Sequence, residues 1–352
     1  MEQIKKIERE LEKWLPGFNM SGQASVEATA AGSLWTEMHF PKIAKNLDDE
    51  SMRALLTPAK DILSRGGKRW RPLLMTLICQ ILGGGDAALP LVPLIEFSHN
   101  ASLIHDDIED DSNERRGKPA IHKIYNVDAA INSGSFLYFL AMSCVEFYNG
   151  NNKELIYKLY GKYLRGLHLG QAIDISWHRK VSFIPTTDDY LAMCCLKTGG
   201  LARLAAELGV YAAGGSMETA EKLGEAADNL GVGFQILDDV KNLTTGIEGK
   251  IHGDDIVEGK KSLPIILYLT RYPDKREFVY FCFHTAKTNG PTVPEVKELM
   301  QCLAQTGILE EAEKKGHDLI NAARNVFSAP EFTGNSSEKS RTLMEGFINL
   351  IS

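Results

Sequence analysis

Residues 102–119 read SLIHDDIEDDSNERRGKP, and this stretch decides how the rest of the chain is read. Asp106, Asp107 and Asp110 stand at i, i+1 and i+4, so in a helix the first and last share one face, a turn apart. Like charges on one face repel, and a plain surface helix gains nothing from them. The apolar pair Leu103-Ile104 just before them places the acids at the end of a buried helix. Carboxylates so grouped suit a hard cation such as Mg²⁺, which takes one or two of them and fills its other positions with water and phosphate oxygens. Arg115 and Arg116 follow, and guanidinium forks grip diphosphate oxygens. Asp111 and Glu114 read as solvent-facing charges. Taken alone, the stretch has a plainer alternative, a solvated acidic helix end followed by a basic turn.

A second stretch repeats the spacing. Residues 231–243 read GVGFQILDDVKNL, with Asp238, Asp239 and Asn242 at i, i+1, i+4 and Gln235 one turn before Asp239. Two such helices facing one another would clamp a metal-bound diphosphate from both sides, and the matching spacing makes chance less credible. Asn242 offers a carbonyl oxygen in place of a carboxylate and is the weaker ligand. Asp238 is therefore expected to hold metal most strongly, with Asp239 in support. A metal-free anion site is also predicted. GGKRWRP (66–72) places Lys68, Arg69 and Arg71 after two glycines that let backbone approach an anion, and Pro72 favours a helix start. His99 lies two turns before Asp106 on the same general face, and reads otherwise as a core histidine. Lys197-Thr198 opens KTGGL, and Lys250 and Lys260 lie in GKIHGDDIVEGKKSLP (249–264). Each of these lysines reads either as a diphosphate contact or as a solvated surface charge. Lys261 reads equally as solvent-facing.

Around these stretches helical periodicity dominates and no segment alternates as a strand does. The spacing predicts helices over roughly 49–64, 70–83, 88–108, 128–148, 152–177, 188–213, 217–246, 262–271, 276–288, 293–306, 309–326 and 337–350. Glycine breaks such as Gly83-Gly84-Gly85 and Gly214-Gly215 separate them. The expectation is one all-α domain over 49–352, preceded by a segment 1–48. That segment opens with a short amphipathic helix, marked by Ile4, Ile7, Leu11 and Leu15, and turns irregular after Pro16. Residues 17–48 and 328–336 are the least regular.

The 352 residues carry a net charge of −7, which speaks against a general nucleic-acid surface. The six cysteines are scattered without metal-ligand spacing and read as reduced core thiols. The N-terminus has no signal-peptide core. The longest apolar stretch, FLYFLAMSCVEFY, is too short to span a bilayer and contains Glu146. A soluble cytoplasmic protein with no transmembrane segment is predicted.

Together these motifs make the chain resemble the trans-type isoprenyl diphosphate synthases, from about Gly66 to about Pro264. GGKRWRP is similar to their isopentenyl diphosphate site and HDDIEDDSNERRG to their first aspartate-rich motif. GQAID, with Gln171 and Asp174, then KTGG, FQILDD and GDDIVEGKKSLP follow in the family's order. The resemblance implies an all-α helical bundle around a deep central cavity, acting as a homodimer with Mg²⁺. It implies that Asp106, Asp107, Asp110 and Asp238 coordinate magnesium on the allylic diphosphate. Arg115, Lys197 and Lys260 would contact that diphosphate, while Lys68, Arg71, His99 and Arg116 would bind isopentenyl diphosphate. Asn242 departs from the family's third aspartate and, with INSGSFLYF and GQAIDISWHR, resembles the eukaryotic-type geranylgeranyl synthases.

The chemistry is intelligible without the family. Carbon–oxygen cleavage at a diphosphate needs the leaving charge neutralised, and metal, arginine and lysine do that. The allylic cation needs a dry apolar wall. A terpene cyclase would change the second acidic cluster and lack GGKRWRP. A silent partner subunit would have lost an acidic cluster, and a calcium-binding loop would show alternating oxygen ligands around a glycine. None of these fits. Chain length is expected to depend on small residues before Asp106, namely Ala101 and Ser102, with Tyr138 and Phe139 either a cavity floor or ordinary core aromatics. Geranylgeranyl diphosphate is the expected product, with farnesyl or longer chains as the alternative.

Overall fold

The computed structural model describes residues 2–15, 49–180, 183–246, 252–334 and 336–351. The chain is all-α, about 80% helical and about 1% strand. It divides into two compact units, residues 1–160 with 207–216, and residues 161–206 with 217–352.

The first unit begins with α1 (Glu2–Glu12), followed by α2 (Asp49–Ser64), α3 (Trp70–Ile81) and α4 (Val92–Glu109). Pro72 and Pro93 sit in the first turns of α3 and α4, where a missing N–H costs nothing. In α1, Ile7 and Leu11 are buried together with Leu15 beyond its end, and Trp14 packs edge-on against Phe147 at 5.3 Å. The expected amphipathic face is real, but it also buries Glu8. The expected irregular segment 17–48 lies outside the described residues. A hairpin, β1 (Glu114–Arg115) with β2 (Lys118–Pro119), was not anticipated from periodicity. Its two-residue turn, Arg116-Gly117, has φ of 54° and 70°, the primed geometry that matches strand twist. Arg65, paired with Asp61, donates to the carbonyls of Arg115 and Pro119 and anchors the hairpin.

Helices α5 (Ile121–Tyr125) and α6 (Val127–Phe147) follow, and α6 packs along α4. Among the described residues, α6 is long and apolar enough by composition to cross a membrane, although the apolar stretch within it reads as too short. Leu137, Leu140, Ala141, Cys144 and Val145 bury its inner face as a core helix.

In the second unit, α7 (Lys153–Arg179, from residue 161) leads to α8 (Thr187–Cys194), a π-turn (Cys195–Gly199) and α9 (Gly200–Ala212, up to residue 206). Thr186 caps α8 in a reciprocal box with Asp189. The single helix expected over 188–213 is thus interrupted where KTGG falls. Next come α10 (Met217–Leu243), α11 (Asp254–Glu258), α12 (Leu263–Arg271), α13 (Arg276–Asn289), α14 (Pro294–Gln305), α15 (Ile308–Phe327), α16 (Pro330–Thr333) and α17 (Glu338–Ile351). One core gathers Tyr190, Val232, Ile236, Val240 and Ile266 behind the acidic end of α10, and a second gathers residues of α11–α14. Burial of this kind contributes roughly 1.5–3 kcal/mol per large apolar side chain.

Candidate functional site

In the first unit, α4 carries an incompletely buried stripe of His99, Ser102, Leu103, Asp106 and Asp110, at the spacing that keeps side chains on one helix face. Asp107 lies off that stripe and is 0% exposed. Arg115 reaches it from the hairpin, donating Nε at 2.8 Å to Oδ1 and pairing again through Nη2, and it lies 3.5 Å from Asp106 Oδ2. The two carboxylates already gather one cation. Asp111 and Glu114 are exposed, as their positions predict, and Asp111 bonds Lys123 at 2.6 Å.

Two turns earlier, the surroundings of α4 change from acidic to basic. Burial, and then the charges of Arg71, Arg116, Arg69 and Arg115, hold His99 well below its ordinary range, so it is a neutral imidazole in a strongly positive field. Lys68 is exposed, whereas Arg71 is buried with its guanidinium 4.3 Å from the Trp70 ring. Arg116 donates to the carbonyls of Ile62 and Gly66 and to Asn100 Oδ1, which seats it over the Gly66-Gly67 turn.

The expected chain-length residues separate. Ala101 is completely buried, so it offers no wall to a cavity, whereas Ser102 lies on the open stripe with its hydroxyl bonded to the His99 carbonyl. Tyr138 is buried, 5.7 Å from the His105 ring, but Phe139 is 71% exposed. Adjacent helical residues point about 100° apart, and Phe139 falls on the outer side of α6. Phe139, expected to be part of a cavity floor, therefore lies outside one, and of the two small residues Ser102, not Ala101, has open space before it.

In the second unit, the π-turn does what such turns do at functional sites: it re-aims side chains. Lys197 Nζ donates to Asp174 Oδ2 at 2.7 Å, and His178 Nε2 lies 2.9 Å from Asp174 Oδ1. Burial opposes ionisation of Asp174, but Lys197, His178 and Lys260 overcome it and hold the carboxyl far below its usual range. The turn fits against α7 because residue 170 is glycine: a Cβ there would stand 2.6 Å from the Lys197 backbone nitrogen. Gln171 is buried beside it.

Asp238 is half-buried, while its neighbour Asp239 is buried behind a chain of hydrogen bonds. Thr198 Oγ1 donates to Gln235 Oε1 at 3.0 Å, and Gln235 Nε2 donates to Asp239 Oδ1 at 2.9 Å. Tyr190 donates to Asp239 Oδ2 at 2.6 Å, with the Leu263 N–H at 3.4 Å. Burial, then Asp255 and Asp238, push Asp239 up to about 7. Gln235 thus spends both ends of its amide on protein partners.

Asn242 turns inward. It is 0% exposed, its Oδ1 accepts from the Asp255 N–H at 3.3 Å, and its carbonyl accepts from the Gly253 N–H at 3.1 Å. Asp255 lies 3.5 Å from Lys260 Nζ, which also pairs with Glu258. Lys250 lies outside the described residues. Lys261, read as equally solvent-facing, is 3% exposed, with its ammonium 4.8 Å from the Phe283 ring and 5.5 Å from Tyr280.

Among the described residues, no three His, Cys, Asp or Glu side chains converge as a ready-made metal cage. The donors on offer are nonetheless hard carboxylate oxygens, in ones and twos beside basic groups. That set fits Mg²⁺ shared with water and phosphate. Sequence reasoning passed over Tyr190, His178, Glu8, Glu96 and Asn100, none of which lies in either aspartate-rich cluster or in GGKRWRP.

A family model described as polyprenyl synthetase matches residues 52–302. The chain belongs to the polyprenyl synthetase family. It is 32% identical over 307 residues to geranylfarnesyl diphosphate synthase of Aeropyrum pernix, covering 82% of this chain and 92% of the relative. To a short chain isoprenyl diphosphate synthase of Methanocaldococcus jannaschii it is 35% identical over 253 residues, 70% and 76% of the two chains. Among solved structures, geranylgeranyl pyrophosphate synthetase from Pyrococcus horikoshii aligns with a TM-score of 0.77 at 26% identity, over 99% of this chain and 95% of that one. A polyprenyl synthase from Caulobacter crescentus, solved with calcium and isoprenyl diphosphate, aligns at 0.73 with 26% identity, over 84% and 87%. The expected fold and enzyme class are therefore both correct: the chain is an all-α isoprenyl diphosphate synthase.

Proposed function

We propose that this enzyme condenses isopentenyl diphosphate head to tail with an allylic diphosphate, with geranylgeranyl diphosphate as its main product. One observation carries the two-substrate reading. A single helix, α4, presents an acidic end at Asp106–Asp110 and, seven residues earlier at His99, a neutral imidazole among arginines. Seven residues of helix span about 10 Å. Two diphosphate sites of opposite character thus lie along one rigid element, one suited to a metal-bound diphosphate and one to a bare one.

In this reading Asp106, Asp107, Asp110 and Asp238 hold Mg²⁺ on the allylic diphosphate. When bound, the metal supplies the charge neutralisation that lets the diphosphate leave. Arg115, Lys197 and Lys260 contribute positive charge to the same leaving group, each held in place by a carboxylate: Asp107 for Arg115, Asp174 for Lys197 and Asp255 for Lys260. Asp239, Gln235 and Thr198 are assigned the role of a brace behind Asp238. Lys68, Arg71, His99 and Arg116 hold isopentenyl diphosphate so that its alkene meets the allylic carbon, and the proton lost afterwards passes to the released diphosphate.

The product assignment draws on relatives named as geranylgeranyl and geranylfarnesyl diphosphate synthases and on Ser102, small and open one turn before Asp106. We assign a homodimer, supported by the outward apolar stripe Val127, Ile131 and Phe139 on α6. The free cysteines support a cytoplasmic setting. The test is incubation with Mg²⁺, isopentenyl diphosphate and each allylic starter in turn, followed by measurement of product length. The C20 product should dominate and chelator should abolish it. Absence of any condensation product would overturn the reading.

A further inference from the structure

We propose that Glu8, on the N-terminal helix α1, is a positioning residue for the isopentenyl diphosphate subsite, acting through Arg69; the inference rests on the assignment of Lys68, Arg71 and Arg116 to that subsite.

Arg69 stands between Lys68 and Arg71 with φ 48° and ψ 29°, in the left-handed region that side chains other than glycine rarely enter. Such a backbone persists only where its surroundings over-determine it. Here they do, because the guanidinium is tied to three different elements. Its Nε donates to Glu8 Oε1 at 2.7 Å, its Nη1 to Glu96 Oε1 at 2.6 Å, and its Nη2 to the Leu63 carbonyl at 2.7 Å. Arg69, Glu8 and Glu96 are all buried. Glu96 Oε1 already accepts from both Arg69 Nη1 and Asn100 Nδ2, the latter at 2.8 Å, whereas Arg69 Nε is served by Glu8. Asn100 in turn accepts from Arg116 at 3.2 Å, and Arg116 lies over Gly67, where a Cβ would stand 2.9 Å from its guanidinium. One buried chain, Glu8–Arg69–Glu96–Asn100–Arg116, therefore fixes both the turn bearing Lys68 and Arg71 and the arginine that lies over it.

Helix α1 does not need Glu8 in order to dock. Ile7, Leu11 and Leu15 are completely buried, and Lys6 pairs with Asp86 at 2.5 Å. Removing the carboxylate should leave the helix in place and release Arg69 from its left-handed conformation. The loss should fall on one substrate only.

The experiment compares the full-length enzyme with its Glu8→Ala and Glu8→Gln variants. It reads KM for isopentenyl diphosphate, KM for the allylic starter, kcat, and the melting temperature. Glu8→Ala should raise KM for isopentenyl diphosphate about tenfold, the loss of one charge-assisted hydrogen bond. The allylic KM and kcat should stay within twofold of wild type. Glu8→Gln keeps an acceptor for Arg69 Nε and should recover most of the loss, leaving a shift of about threefold. If Glu8→Ala does not fold, that threefold selective shift in Glu8→Gln carries the test. Unchanged KM for isopentenyl diphosphate in the folded variants overturns the inference, and so does a parallel rise of both KM values with a fall in kcat and melting temperature. A wild-type enzyme that condenses no isopentenyl diphosphate overturns the subsite reading itself, whatever the variants do.

Discussion

Lys261→Met should stabilise the enzyme at neutral pH. The side chain is 3% exposed, and its only described polar contact is a 3.4 Å bond from Nζ to the Gly259 carbonyl, with the Phe283 and Tyr280 rings on its other sides. Burial pushes the ammonium down from 10.5 to about 8. The unfolded chain therefore binds a proton between about pH 8 and 10.5 that the folded chain does not. Stability from this group rises as pH rises through that window, and below it the full cost of burying the charge is present. A depression of about 2.5 pK units corresponds to about 3 kcal/mol. Methionine keeps the apolar stem and removes that cost, but forfeits ring contacts of roughly 0.5–2 kcal/mol. The net expectation is a gain of about 1–3 kcal/mol at pH 7. Urea unfolding of both proteins from pH 7 to 11 measures it. The difference should shrink steadily above pH 8 and vanish near 10.5. A variant less stable than wild type at pH 7, or a gap that ignores pH, would refute the reasoning. Because Lys260 is the next residue, the allylic KM of the variant also tells whether the buried lysine serves only to seat its neighbour.

Asp106→Ala should reduce kcat on the order of a hundredfold or more while leaving the melting temperature nearly unchanged, because a half-exposed carboxylate among like charges does not support the fold. Near-wild-type turnover at saturating substrate would remove it from the metal set. Lys68→Ala should raise KM for isopentenyl diphosphate, and Lys197→Ala that for the allylic substrate, each by about 1.5–3 kcal/mol in binding; Lys197→Ala should also destabilise, since Asp174 stays buried. Equal effects of both on both substrates would show the two subsites to be confused. Asn242→Asp adds a carboxylate at a fully buried position near Asp255, and should lower metal-free stability by about 3 kcal/mol, read as a fall in melting temperature that Mg²⁺ reduces. Ser102→Phe should shorten the product, whereas Ala101→Phe, at a site without space, should lower stability instead. Product analysis beside thermal melts separates the two, and an unchanged product from Ser102→Phe would mean the growing chain does not pass this face.

The acidic clusters were legible because repulsion makes them improbable unless something binds there, and because helical spacing fixes which carboxylates share a face. Helix positions were legible for the same reason, down to a residue or two at most ends. What escaped was whatever depends on partners distant in sequence. Periodicity cannot show that the helix over 188–213 breaks at Cys195–Gly199, because a π-turn keeps every side chain helical and only shifts its register. The register shift is nonetheless what brings Lys197 to Asp174, and the opening for it comes from Gly170, on a different helix. The hairpin at 114–119 escaped because two-residue strands carry no alternation, although Arg116-Gly117 was a fair turn signal.

Asn242 shows why motif spacing overreaches. It occupies the position where a third ligand is expected, and its residue type was read as a weakened ligand. Its geometry is that of a tether. It is fully buried and fastens the segment 253–255, whose Asp255 holds Lys260. Replacing a carboxylate by an amide at this position trades a charge that would need a cation for a hydrogen bond that needs none. The same reasoning applies to Arg69, which reads as one more phosphate-binding cation in GGKRWRP but lies buried between two glutamates. In both motifs the charged letters divide into those left open to solvent and those that hold the others in place. Sequence spacing cannot make that division, because it depends on which carboxylate or carbonyl from another helix reaches the side chain first.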